Sequence, residues 1–153
     1  EANDPESMGV LKILESIDDD CDANNILMVK IDNSLTAQKY GIKAFPSLLY
    51  FEDNVPFVYT GNLTNEDEVI GWILHQQKSD EIEEVNVDIL NLLLLENDIV
   101  ASLFYDKSDR QSKKILAKIE NIDDELDAKS VVFVKISTSD EDTTISSQFG
   151  IEY

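Results

Sequence analysis

The stretch Val10–Ile31 reads VLKILESIDDDCDANNILMVKI, and Ile115–Ile136 reads ILAKIENIDDELDAKSVVFVKI. The two stretches align without a gap at a separation of 105 residues. After a short insertion the match resumes, because Tyr40–Ile42 returns as Phe149–Ile151. Self-similarity of this kind is typical of a repeated structural unit. Since a 153-residue chain is too short for two such units, we expect the tail of one unit followed by the head of the next.

Hydrophobic spacing assigns the elements within each copy. Apolar residues recur at helical spacing and predict a helix over Ser7–Asp20, with its copy over Asp109–Glu125. Ile26–Ile31 and Val131–Ile136 are continuous apolar runs rich in β-branched residues. Such runs are typical of central strands buried on both faces.

The remaining sequence alternates between strand and helix patterns. It predicts strands at Ser47–Glu52 and Pro56–Thr60, a helix at Glu66–Gln77, an acidic junction at Asp80–Glu84, a strand beginning at Val85–Val87, a helix at Asp88–Leu95 and a strand at Ile99–Tyr105. Strands that alternate with helices indicate an α/β fold.

Residues Tyr40–Asn54, YGIKAFPSLLYFEDN, resemble the part of a thioredoxin-fold domain that contains the cis-proline and the following strand. Within that family the chain is most similar to non-catalytic relatives of protein disulfide isomerase and to calsequestrin. Both are built from tandem domains in the endoplasmic or sarcoplasmic reticulum. The resemblance implies a thioredoxin-like α/β fold with a mixed central sheet flanked by helices.

The resemblance also implies a division of the chain. Residues 1–79 correspond to the C-terminal part of one thioredoxin-like domain, from a helix through the cis-proline and hairpin to the terminal helix. Residues 80–153 correspond to the N-terminal part of a second domain. The two parts would be completed by combining into one permuted domain, or by exchanging segments between chains in a homo-oligomer.

The positions that carry Cys-x-x-Cys in catalytic thioredoxin-like proteins are occupied by other residues here. The resemblance places Asp109 and Ser112 there, and Asp4 and Ser7 in the other copy. Thiol–disulfide exchange requires a thiolate, which neither residue provides. We therefore expect no oxidoreductase activity and no other enzymatic activity, with the aspartates acting as helix caps.

Composition narrows the classes of partner. The chain has 32 acidic and 12 basic residues and a formal net charge of −20, which argues against nucleic acid and anionic membrane surfaces. Its apolar runs are too short to span a bilayer, so we expect no membrane contact by this segment. One Cys and one His provide no zinc site or catalytic triad, and no cofactor is expected apart from Ca²⁺.

Because Cys21 aligns with Leu126, it is interpreted as a buried hydrophobic residue.

Clustered carboxylates suggest weak calcium binding as one alternative. The candidate ligands are Asp18, Asp19, Asp20 and Asp22, with Asp123, Asp124, Glu125 and Asp127 in the second copy. Carboxylates held together by a fold can share a cation at millimolar affinity. The other interpretation is a solvated, solubilising surface.

Two further positions bear on function. The resemblance implies a cis bond at Phe45–Pro46. Thioredoxin-fold proteins use the backbone next to this bond to hold an extended peptide, so Phe45 and Pro46 are candidate peptide-binding residues. A structural turn without a ligand explains the bond equally well. Asn62, in the triplet Asn62-Leu63-Thr64, is a glycosylation acceptor by sequence. With the resemblance, this triplet indicates the endoplasmic reticulum lumen or secretion.

These observations predict a redox-inactive binding or scaffold module of the secretory pathway whose partners are polypeptide clients or partner proteins. One alternative is a calsequestrin-like calcium buffer of low affinity. A further alternative is the non-catalytic part of a longer disulfide oxidoreductase.

Overall fold

The structure, a computed structural model, describes residues 4–52, 54–79, 81–120, 131–138 and 147–150. The chain divides into two units, Glu1–Ser79 and Asp80–Tyr153. The first contains helices α1 (Pro5–Ser16), α2 (Asp18–Ala23), α3 (Ser34–Lys39) and α4 (Glu66–Gln76), and strands β1 (Leu49–Glu52) and β2 (Val55–Val58). The second contains strands β3 (Glu83–Glu84), β4 (Val100–Tyr105) and β5 (Val132–Ser137), and helices α5 (Val87–Glu96) and α6 (Arg110–Ile119).

With the exception of α2, the described helices begin where asparagine or aspartate side chains cap them. Asn33, Asn65 and Asn86 precede α3, α4 and α5, and each side chain accepts a hydrogen bond from the backbone N–H three residues later. These bonds satisfy N–H groups that have no partner within the helix. The helix predicted over Ser7–Asp20 is in fact two helices, because the backbone turns at Ile17 and places that side chain in the core.

The core of the first unit lies between α4 and the helices α1 and α2. Val69 and Ile73 of α4 pack in one cluster with Ile17 and Cys21. Trp72 extends this cluster toward the hairpin, since its ring centroid lies 4.9 Å from that of Tyr59 and 6.2 Å from that of Tyr50. Burial of this apolar surface holds α4 against the hairpin.

The hairpin pairs β1 with β2 in antiparallel register, from Leu49 opposite Val58 to Glu52 opposite Val55. Asn54 lies in the turn with φ of 68°, a left-handed conformation that asparagine tolerates better than most residues. A further backbone bond, from Tyr59 N–H to the Leu48 carbonyl at 2.9 Å, continues the pairing beyond the strands.

The prediction of a central strand at Ile26–Ile31 is wrong for this structure. The backbone there is not helical, but among the described residues no strand pairs with it. Ile26 and Met28 contact the core cluster, whereas Leu27, Val29 and Ile31 are exposed. A run of apolar residues becomes a central strand only where two neighbouring strands are available to it.

The second unit contains a parallel sheet with strand order β3-β5-β4. β5 is central, with Val132–Ser137 aligned along the whole of Val100–Tyr105 and with Glu83 opposite Val134. Ile89, Leu90 and Leu93 of α5 are buried, as are Val134 and Ile136 of β5. The predicted central strand of the second copy is therefore confirmed.

The described strands form an antiparallel hairpin in the first unit and a parallel sheet in the second, and with their helices they agree with the predicted α/β fold class. Two other predictions require correction. The junction predicted at Asp80–Glu84 contains β3, because Glu83 and Glu84 pair with β5. The strand predicted to begin at Val85–Val87 ends instead at that point: Val85 N–H donates to the Lys135 carbonyl at 3.0 Å, and α5 begins at Val87. The helix predicted over Asp109–Glu125 is α6 as far as Ile119, and Asn121–Glu125 lie outside the described residues.

Burial within α5 predicts a large difference between two of its leucines. Leu93 is buried and Leu95 is 86% exposed. We expect Leu93→Ala to lower the free energy of unfolding by about 2–5 kcal/mol, because it leaves a cavity in the core. Leu95→Ala, the matched control, should change it by less than about 0.5 kcal/mol. Urea denaturation followed by circular dichroism measures both, and equal effects would contradict this assignment of the core.

Candidate functional site

The degenerate thiol positions are helix caps in both units. Asp4 precedes α1, and its Oδ2 accepts hydrogen bonds from the Ser7 backbone N–H at 2.8 Å and the Ser7 hydroxyl at 2.7 Å. Asp109 precedes α6, and its Oδ2 accepts from the Ser112 N–H at 2.6 Å. The two caps have nearly the same backbone angles. The helix start therefore presents a carboxylate and a hydroxyl, neither of which reacts with a disulfide.

The same hydrogen bonds stabilise the ionised aspartates. The N–H of Ser7 lowers the pKa of Asp4 below its usual value of 3.8, and the N–H of Ser112 lowers the pKa of Asp109 in the same direction. A carboxyl whose pKa is lower in the folded state stabilises the fold above its unfolded pKa. That stabilisation is lost as the pH falls through the folded value.

We therefore expect Asp109→Asn to reduce the dependence of stability on pH between about pH 5 and pH 2. Asparagine keeps a capping oxygen but does not titrate, so the variant should lose less stability on acidification than the parent chain. Asp32→Asn, at an exposed aspartate outside the helices, is the control for loss of one charge. Denaturation midpoints at a series of pH values provide the measurement, and parallel curves for Asp109→Asn and the parent chain would refute the cap's role.

Cys21 is fully buried in the core of the first unit. It packs with Ile17, Val69 and Ile73, as its alignment with Leu126 predicts. Burial raises the pKa of its thiol, and the charges of the three aspartates beside it in α2 raise it further. Both effects disfavour the thiolate that redox chemistry and metal binding require.

The folded chain should consequently be inert toward thiol reagents. We expect Cys21 to react with a disulfide reagent such as dithiobis-nitrobenzoate only after urea has unfolded the first unit. The reaction is followed by absorbance at increasing urea concentration. Stoichiometric labelling of the native chain at neutral pH would show that the thiol is accessible.

The loop before β1 contains the predicted cis bond. Phe45–Pro46 is cis, which confirms that implication of the resemblance. Phe45 is 43% exposed, and exposed Phe51 lies edge-on to Tyr40 with ring centroids 5.5 Å apart. The Ser47 hydroxyl donates to the Ala44 carbonyl at 2.6 Å and closes the turn. The loop thus presents aromatic surface beside a fixed backbone.

An apolar surface that the sequence did not single out lies on residues 26–31, called here the open segment. Leu27, Val29 and Ile31 are 81%, 73% and 65% exposed. The β5 residues aligned with Val29 and Ile31 are covered, since Val134 is 0% and Ile136 2% exposed, and Val132, aligned with Leu27, is half-buried. The same type of sequence is therefore buried in one unit and accessible in the other.

The open segment is nevertheless held in place on its inner side. Ile26 and Met28 contact the core cluster, and Ile26 N–H donates to the Cys21 carbonyl at 2.9 Å. Lys30 lies 3.8 Å from the Glu15 carboxylate of α1. The aligned pair in the second unit, Lys135 and Glu120, is 3.5 Å apart. Both strand-like runs thus pair a lysine with an aligned glutamate, Glu15 in α1 and Glu120 directly after α6.

The acidic residues are distributed rather than gathered. Asp18, Asp19, Asp20 and Asp22 lie on α2 and are exposed. In the described part of the chain, no three His, Cys, Asp or Glu side chains are arranged to hold a metal ion. Asp123, Asp124, Glu125 and Asp127 lie outside the described residues.

The last predicted site, Asn62, lies in the loop between β2 and α4 and is exposed. Like Phe45 and Pro46, it belongs to the first unit. Within the described ranges, no helix combines the length and apolar character needed to cross a membrane.

Comparison with known families agrees with this architecture. The thioredoxin-like domain family matches residues 3–152, which is nearly the whole chain. The chain therefore belongs to the thioredoxin-like domain family, and its α/β fold is of that type. No curated protein matches the sequence.

Proposed function

We propose that this thioredoxin-like chain is a redox-inactive binding module of the secretory pathway that holds extended polypeptides. The observation that supports the proposal most directly is the open segment, an apolar strand-like run with an exposed outer face. The capped helix starts at Asp4 and Asp109 and the buried thiol of Cys21 support the absence of thiol chemistry.

The second unit indicates what kind of ligand the open segment would accept. Its aligned strand, β5, pairs in parallel with β3 on one side and β4 on the other. An extended polypeptide can supply the same backbone hydrogen bonds to the open segment by strand addition. Apolar side chains on that polypeptide would lie beside Leu27, Val29 and Ile31 and bury part of their exposed surface.

The segment is also prepared for binding. Its inner residues are fixed in the core, and Lys30 is paired with Glu15, so little conformational freedom remains to be lost. The net charge of −20 favours clients with basic residues beside the apolar run. We therefore propose clients that are extended, apolar and flanked by lysine or arginine. The aromatic surface at Phe45 is the second contact region of the same proposal.

The probe for this proposal is a fluorescein-labelled peptide with the sequence of residues 99–107, IVASLFYDK, which contains the strand that pairs with β5. We expect it to bind the purified chain with a change in fluorescence anisotropy. The double variant Val29→Lys, Ile31→Lys should weaken binding by about tenfold or more, because it places charges on the contact face. Both side chains are exposed, so the fold should be retained.

Two controls distinguish strand addition from nonspecific hydrophobic binding. Leu95→Lys introduces a charge at an equally exposed leucine of α5 and should leave binding unchanged. A peptide carrying Leu103→Pro should bind poorly, since proline removes a backbone donor. Phe45→Ala reports whether the cis-proline loop contributes.

Unchanged binding by the double variant would overturn the assignment to the open segment. If light scattering shows a dimer and the peptide does not bind, a second copy of the chain covers the open segment instead. Association that requires added Ca²⁺ and disappears with a chelator would favour the calcium-buffer alternative.

A further inference from the structure

The loop that joins β2 to α4 has a defined conformation around Asn62-Leu63-Thr64. Leu63 is partly buried and packs against the core cluster of the first unit, whereas Asn62 and Thr64 are exposed. The central residue of the triplet therefore anchors the loop. Its two neighbours project from the surface.

Two hydrogen bonds order the side chains of the triplet. The Oδ1 atom of Asn62 accepts from the Thr64 backbone N–H at 3.0 Å and from the Thr64 hydroxyl at 2.7 Å. Both bonds use the carbonyl oxygen of the carboxamide. The Nδ2 amide, which carries the reactive nitrogen, takes no part in them.

The ends of the loop are fixed as well. On the β2 side, the Tyr59 ring packs on Trp72 with centroids 4.9 Å apart. On the α4 side, Asn65 N–H donates to the Asn62 carbonyl at 3.1 Å, and the Asn65 side chain caps the helix. The acceptor is thus displayed on a loop that the core holds in one arrangement.

We propose that Asn62 is an N-glycosylation site that carries one oligosaccharide. In the transfer, the Asn62 Nδ2 forms a bond to the anomeric carbon of an oligosaccharide on a lipid diphosphate donor. The bond between that carbon and the phosphate oxygen breaks, the lipid diphosphate leaves with the bonding electrons, and the amide loses one proton to the transferase. The acceptor triplet requires threonine or serine at its third position, and here the Thr64 hydroxyl lies next to the acceptor side chain through its bond to Oδ1.

This inference depends on the secretory location in the proposed function, but not on polypeptide binding. Asn62 is the single Asn-X-Ser/Thr triplet in the 153 residues, so one site accounts for any N-linked glycan on this chain. The glycan would occupy exposed surface and displace no core residue.

The test places a cleavable signal peptide before the whole chain and expresses it in cultured secretory cells. We expect one glycosylated species, which peptide-N-glycosidase reduces to the mass of the chain with Asn62 converted to Asp. Asn62→Gln and Thr64→Ala should abolish the shift, whereas Thr64→Ser should retain it. Asn65→Asp, three residues away and able to cap α4, is the matched control and should be glycosylated like the parent.

The unmodified mass on chain recovered from the medium, after signal-peptide removal, would overturn the proposal, since that chain has passed through the lumen. A shift that survives Asn62→Gln would also overturn it. Because the peptide-binding assay uses chain without a glycan, a failure at Asn62 leaves polypeptide binding separately measurable.

Discussion

The need of an extended apolar run for backbone partners and for cover on both faces is the constraint that distinguishes the two units. Each residue of an extended run carries a donor and an acceptor that must be satisfied, and apolar side chains on both faces must be covered. β5 meets both requirements, because β3 and β4 flank it and its side chains Val134 and Ile136 are buried. In the first unit the aligned run is covered on its inner face alone, and this difference creates its accessible surface.

The helix starts at Asp4 and Asp109 show how aspartate uses the backbone N–H groups of a thioredoxin-like helix start. A cysteine at the start of a helix is reactive because the helix dipole stabilises its thiolate. An aspartate at the same position accepts hydrogen bonds from the same N–H groups. These bonds stabilise its charged form and lower the pKa of Asp4 and Asp109. At Asp4 and Asp109 the N–H groups at the helix start therefore hold a capping carboxylate.

The sequence predicted the helices and strands that depend on the local spacing of apolar residues. It did not predict whether an apolar run pairs with neighbouring strands, because that depends on residues distant in the sequence. The periodicity of Val69 and Ile73 and the turn at Asn54 identify α4 and the hairpin, and the resemblance located the cis bond at Pro46. The repeat could not distinguish Ile26–Ile31 from Val131–Ile136, because pairing is a property of neighbouring strands. For the same reason, the sequence did not indicate that Leu27, Val29 and Ile31 of the open segment are exposed.

The paired lysines connect these points. Lys30 with Glu15, and Lys135 with Glu120, join the strand-like run to the preceding helix at corresponding positions, yet the second pair is largely buried and the first is exposed. An exposed ion pair contributes little to stability because water screens it, whereas exclusion of water strengthens the attraction between the same charges. Strand addition over the open segment would remove water from Lys30 and Glu15. The proposed strand addition would therefore strengthen the attraction between these charges while removing their hydration, so the Lys30–Glu15 pair would affect binding through the difference between the two effects.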